Sequence, residues 1–179
     1  LEELSGGGVS HAVNVLGGVR VDVTRDQMDR VSGGLDEFAG QLDTFLAVLD
    51  RDRSLQLRTQ GLAPLDRDLA HALGVVGPMA RASGCSLDVR RDAPYAAYPW
   101  VNFRVVTASD GDVWSRAQVR LNEIAESVSI CRQVLADMPP GPLAADVPRR
   151  VPEGEVVRRT EAPRGELLYY VQSDGSDHP

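Results

Sequence analysis

Two long stripes of apolar residues constrain this chain more than any other feature. Over residues 24–50, Met28, Val31, Leu35, Phe38, Leu42, Phe45 and Leu49 recur at alternating steps of three and four, which places them on one side of an α-helix. Over residues 112–138, Ala117, Leu121, Ile124, Val128, Cys131, Leu135 and Met138 do the same. Stripes of this length must pack on each other or on further helices at a shallow angle. The local signals agree. Thr24 followed by Gln27 has the form of a capping box, Asp112 is suited to cap the second helix, and Pro139-Pro140-Gly141 ends it. Gly33 and Gly34 lie off the stripe and weaken the first helix by roughly 1 kcal/mol each relative to Ala. Both stripes are expected to face the core, with Cys131 buried and Leu121→Ala costing roughly 2–5 kcal/mol.

The remainder reads as shorter elements. A helix fits residues 66–73. Strands fit 12–16 and 19–23 about Gly17-Gly18, 102–107, and 155–160 and 166–172 about the turn Ala162-Pro163-Arg164-Gly165. Residues 139–155, rich in Pro, Gly and Arg, read as an irregular connection. The fold class is α+β: a mainly helical core of long antiparallel helices with small β-hairpins at the edges, expected to form a single domain over residues 1–179.

Charge and cysteine usage exclude several functions. The net charge is −7 and every basic residue is Arg, so there is no basic face for nucleic acid. No apolar run reaches the length of a membrane span, and residues 1–10 lack the hydrophobic stretch of a signal peptide. The first residue is not Met, and the chain is expected to be a piece of something longer. Cys85 and Cys131 stand far apart with no CxxC, and His11, His71 and His178 are scattered, so no closely spaced pair of metal ligands is present. Two free thiols are expected. Arg81, Asp88 and Arg90 are placed to form a buried ion network. Arg116, Arg120 and Glu123 read as a salt-bridged helix face.

Several loop segments carry a resemblance. They are Leu4-Ser5-Gly6-Gly7, then AVNVLGGVR at 12–20, RTQG at 58–61 and GVVGPMARASG at 74–84. Asp88-Val89-Arg90, Ala93-Pro94-Tyr95, Gly111-Asp112-Val113, EAPRGE at 161–166 and SDGS at 173–176 follow in order. Together they resemble the central portion of the large subunits of energy-converting nickel–iron hydrogenases and of the quinone-site subunit of respiratory complex I. The small residue before Arg81, Pro163-Arg164, and Tyr95-Ala96-Ala97-Tyr98 resemble the hydrogenase branch.

The resemblance implies a subunit that interconverts dihydrogen with protons and electrons, passing electrons to an iron–sulfur subunit. The complex would lie peripherally on the cytoplasmic face of the membrane. In that family the nickel–iron centre is held by two CxxC pairs, so its ligands would lie outside this segment. The complex I alternative reduces a quinone without a metal in this subunit, and a metal-free scaffold paralogue is the third. Arg164 is the implied site residue, its guanidinium overhanging the metal or quinone site. Glu161 and Glu166 bracket it, placed to hold it or to carry protons.

Overall fold

The structure, a computed structural model, describes residues 2–9, 11–148 and 150–176; His178 lies outside them. In chain order the elements are α1 (Glu2–Ser5), β1 (Asn14–Val15), β2 (Gly18–Val19), α2 (Arg25–Arg51), α3 (Arg53–Thr59) and α4 (Arg67–Ala72). Then come α5 (Gly77–Ala82), α6 (Val89–Asp92), a 3-10 turn at Tyr98–Trp100, α7 (Val113–Ala136), β3 (Gly154–Ala162) and β4 (Gly165–Ser173). The α+β class stands: a helical body carries two small antiparallel hairpins.

The long helices start where their caps dictate. Both halves of the Thr24 box form, with the Gln27 N–H donating to the Thr24 hydroxyl at 3.3 Å and the Thr24 N–H to the Gln27 side chain at 2.9 Å. Asp112 caps α7 by accepting the Ser115 N–H at 2.8 Å, and its other oxygen accepts the Gly61 N–H at 2.7 Å. One carboxylate thus starts a helix and pins the preceding loop. Asp36 of α2 pairs with Arg132 of α7 at 2.5 Å. At the other end Phe45 and Leu49 lie beside Ala117 and Leu121, so the two helices run antiparallel.

The stripes are less buried than their periodicity implies. On α2 Leu42 is buried, Met28, Val31, Leu35 and Leu49 are half-buried, and Phe38 and Phe45 are exposed. On α7 Val128 is buried, Leu121 is half-buried and Ile124 exposed. Cys131 is exposed, against expectation. The reason is that α7 has two packed sides. The stripe, with Trp114 continuing it, meets α2, which covers it incompletely, while Ser115 and Val119 are sealed on another side of the helix, and α5 also packs on α7. Leu121→Ala therefore falls below the cost of a core truncation.

Residues 102–107 form no strand. They run extended beside α7, whose side chains take the place of a sheet partner. Gln133 accepts the Asn102 N–H at 2.8 Å and donates to its carbonyl at 2.7 Å, and Glu126 accepts the Arg104 N–H at 3.1 Å. The first hairpin is shorter than the pattern suggests, and the 139–155 connection returns beside it through a Gly18–Ala144 bridge.

The second hairpin meets expectation. β3 and β4 pair from Gly154–Ser173 to Ala162–Gly165, closing on Pro163-Arg164. Its tip docks on the start of α5. Gly77 has φ +68°, and a Cβ there would stand 2.3 Å from the Gly165 Cα and 2.5 Å from the Arg164 carbonyl oxygen. Gly77→Ala is expected to cost about 2–4 kcal/mol, joining left-handed backbone strain to overpacking. Gly74 has φ +63° with nothing within 4 Å, so Gly74→Ala carries only the strain. Chemical denaturation of the pair checks this; equal costs would mean that the tip yields freely.

Candidate functional site

Beneath the hairpin tip lies a buried cluster of charge centred on Arg81. Its helix, α5, is six residues long, and its side chain is 1% exposed. Nε donates to Glu123 of α7 at 2.5 Å. One terminal nitrogen donates to Glu161 of β3 at 2.9 Å and to the Leu87 carbonyl at 2.8 Å, and stands 3.7 Å from Asp88. Asp88 is held by the planar fork of Arg90 through bonds of 3.0 and 2.7 Å. Arg90 in turn lies over the Phe103 and Tyr98 rings, 5.0 and 5.9 Å from their centroids. Arg pairs this way because its donors are fixed in one plane and its charge persists when buried.

Electrostatics follow the geometry. Burial works against the Asp88 carboxylate, but the hydrogen bonds and charge of Arg90, with the charge of Arg81, outweigh it and hold the group below the usual range. Burial likewise opposes the Arg81 charge, and Glu123 and Glu161 outweigh it, raising the guanidinium further. For Arg90 the Asp88 hydrogen bonds dominate and also raise it. Because the Asp88 carboxyl is depressed in the fold, its contribution to stability is fully present above its unfolded value of about 4 and is lost as pH falls through the folded value. Urea midpoints from pH 6 to pH 2 should drop steeply below pH 4, and Asp88→Asn should flatten that limb. An unchanged slope would remove Asp88 from the account.

Glu161 is gripped from three sides. One oxygen takes Arg81, the other accepts the Val89 N–H at 3.2 Å, and its own backbone N–H donates to the Tyr95 hydroxyl at 3.0 Å. A cavity of about 420 Å³ opens between this tip and α7, lined by Arg81, Arg90, Arg120, Glu123, Glu161 and Pro163 among others. Arg164 stands next to it in the chain, exposed, its side chain making no hydrogen bond or ion pair among the described residues.

Comparison with known proteins decides the family. The chain matches the family described as "Respiratory-chain NADH dehydrogenase, 49 Kd subunit" over residues 1–150 and 145–179. The chain belongs to this family. Among relatives, the carbon monoxide-induced hydrogenase of Rhodospirillum rubrum is 40% identical over 179 residues, covering 99% of this chain and 50% of the relative. An NADH-quinone oxidoreductase subunit of Clostridium beijerinckii is 36% identical over 166 residues, covering 92% and 45%. An F(420)H(2) dehydrogenase subunit of Methanosarcina mazei is 37% identical over 187 residues, covering 100% and 50%. A solved structure of the membrane-bound sulfane sulfur reductase, an archaeal respiratory membrane complex, superimposes with a TM-score of 0.91 at 33% identity, covering 97% of this chain and 49% of that one. The chain thus spans about half the length of these relatives.

Within this 49 Kd family member, the expected network of Arg81, Asp88 and Arg90 forms, and gains Glu123 and Glu161. The expected salt-bridged face does not: Glu123 turns inward to Arg81, and Arg116 donates to the Ala63 and Gly111 carbonyls at 2.6 and 2.7 Å. The signal for Glu123 was its place one turn after the sealed Val119. Glu166 pairs with Arg159 at 3.5 Å instead of holding Arg164. Among the described residues no three of His, Cys, Asp and Glu gather to hold a metal. The residues here do not supply a nickel–iron ligand set. No helix among them is long and apolar enough to cross a membrane.

Proposed function

We propose that this chain forms the central wall of the catalytic subunit of a membrane-associated nickel–iron hydrogenase, which converts dihydrogen to protons and electrons. The observation that carries this reading is the 40% identity with the carbon monoxide-induced hydrogenase across 99% of the chain. Electrons would pass to an iron–sulfur subunit of the same complex. The assembly would sit peripherally on the cytoplasmic face of the membrane, and the metal ligands would come from parts of the protein beyond this stretch.

Arg164 is the residue assigned to the reacting centre. A guanidinium that keeps its charge, donates several hydrogen bonds and has no partner among the described residues is suited to charge developing nearby. Exposed Phe38, Phe45 and Val48 on α2, and Val157, Leu168 and Tyr170 on the hairpin, would be covered by the rest of the assembly.

A second reading is quinone reduction, as the quinone-site subunit of a complex I-type enzyme. It is supported by the 36% identity with the NADH-quinone oxidoreductase subunit of Clostridium beijerinckii and by the family match. A metal-free scaffold would share the fold and neither chemistry. Nickel and iron analysis separates the three. The hydrogenase reading expects stoichiometric nickel in the purified complex and neither metal bound stoichiometrically by this chain alone. A nickel-free complex that reduces quinone selects the second reading, and a complex with neither property the third.

A further inference from the structure

We infer that Glu161 is a positioning residue that fixes the Pro163-Arg164 turn, and not a proton carrier. The inference deepens the reading of Arg164 given above and rests on it for its functional meaning. The first observation is where the hairpin is attached. Along its stem, residues 155–159 and 167–172 are exposed, apolar side chains included. Burial begins at the tip: Thr160, Glu161, Ala162 and Glu166 are half-buried and Gly165 is buried. Within this chain the ribbon concentrates its contacts on the turn.

The second observation is how the tip is attached. Glu161 binds the buried Arg81 guanidinium of α5 and the Val89 N–H of α6 through separate carboxylate oxygens. Its backbone N–H is satisfied by the Tyr95 hydroxyl. On the other arm of the turn, Gly165 lies against Gly77 too closely for any Cβ between them. Side chain, main chain and backbone contact thus hold both flanks of Pro163-Arg164. Arg164 itself has no partner among the described residues. Both carboxylate oxygens are engaged by buried donors, and this grip defines where the next three residues stand.

The test uses the intact complex and two variants, Tyr95→Phe and Glu161→Ala. Tyr95→Phe removes one bond and leaves the ion cluster, so it keeps the test usable where Glu161→Ala fails to fold. Hydrogen exchange is read at the amides of Gly165 and Glu166, which do not bond to Tyr95, and across α7. Exchange at the tip at least tenfold faster in either variant, with α7 unchanged, supports the inference. Unchanged exchange at the tip overturns it, and so does loosening of α7 to the same degree, which would make the grip a general prop of the fold. Turnover is measured alongside over a range of pH. A uniform fall in kcat with KM and the pH profile kept supports positioning; loss of one limb of the profile restores Glu161 as a proton carrier. Turnover of Arg164→Lys is judged separately: if it is undiminished while the tip exchange responds, the reading of Arg164 falls and the anchoring stands.

Discussion

On the proposed hydrogenase reading, Arg164→Lys in the complete protein is expected to lower hydrogen turnover by about two orders of magnitude, the usual loss for a removed transition-state donor. The reasoning begins with the backbone. The two-residue turn closes β3 onto β4, and Gly165, at φ +131°, is pressed against Gly77. The turn therefore keeps its place when its side chain changes. Lys retains the positive charge but loses the planar fork and moves the donors. Arg164 is exposed and bonds to nothing among the described residues, so stability should change by less than about 0.5 kcal/mol. Metal content should also persist. Hydrogen-uptake kinetics with parallel metal assay checks this. Full turnover at full metal loading would leave Arg164 an ordinary turn residue in solvent.

The largest loss of stability is expected from Arg81→Met, at roughly 3–5 kcal/mol, the cost of stranding a buried charge by removing its partner. Here three carboxylates lose a shared cation: Glu123, Glu161 and the fully buried Asp88. Asp88 keeps Arg90, so most of the penalty falls on the two glutamates. The triple variant Arg81→Met, Glu123→Leu, Glu161→Leu should then recover much of the loss, because neither glutamate is left unpaired. Urea unfolding of the single and triple variants tests both statements. A loss under about 1 kcal/mol in the single variant would show that water already reaches the cluster.

The division between what the sequence foretells and what it hides is physical. Helices α2 and α7 are legible because their caps and stripes are local: Thr24 finds Gln27 three residues away, and Asp112 finds Ser115. The Pro163-Arg164 turn is legible for the same reason. The charged cluster is only partly so. Arg81 meets Glu123 across 42 positions and Glu161 across 80, and nothing local in the six residues of α5 announces those two partners. Residues 102–107 carry a strand's alternation but lie against a helix, and alternation does not say what stands alongside. Cys131 sits on a faithful stripe, yet a stripe reports which residues share a side, not whether a neighbour reaches them all. Resemblance in the loops supplied the family, which no periodicity could.

Isotope exchange tests the central claim most directly, because it needs no knowledge of the electron acceptor. The complex containing this chain is incubated with D2 in ordinary water, without an added electron carrier, and the gas phase is followed by mass spectrometry. Heterolytic cleavage in the complex predicts HD and then H2 accumulating at a rate that Arg164→Lys depresses. A purified complex that reduces quinone yet releases no HD contradicts the hydrogenase reading.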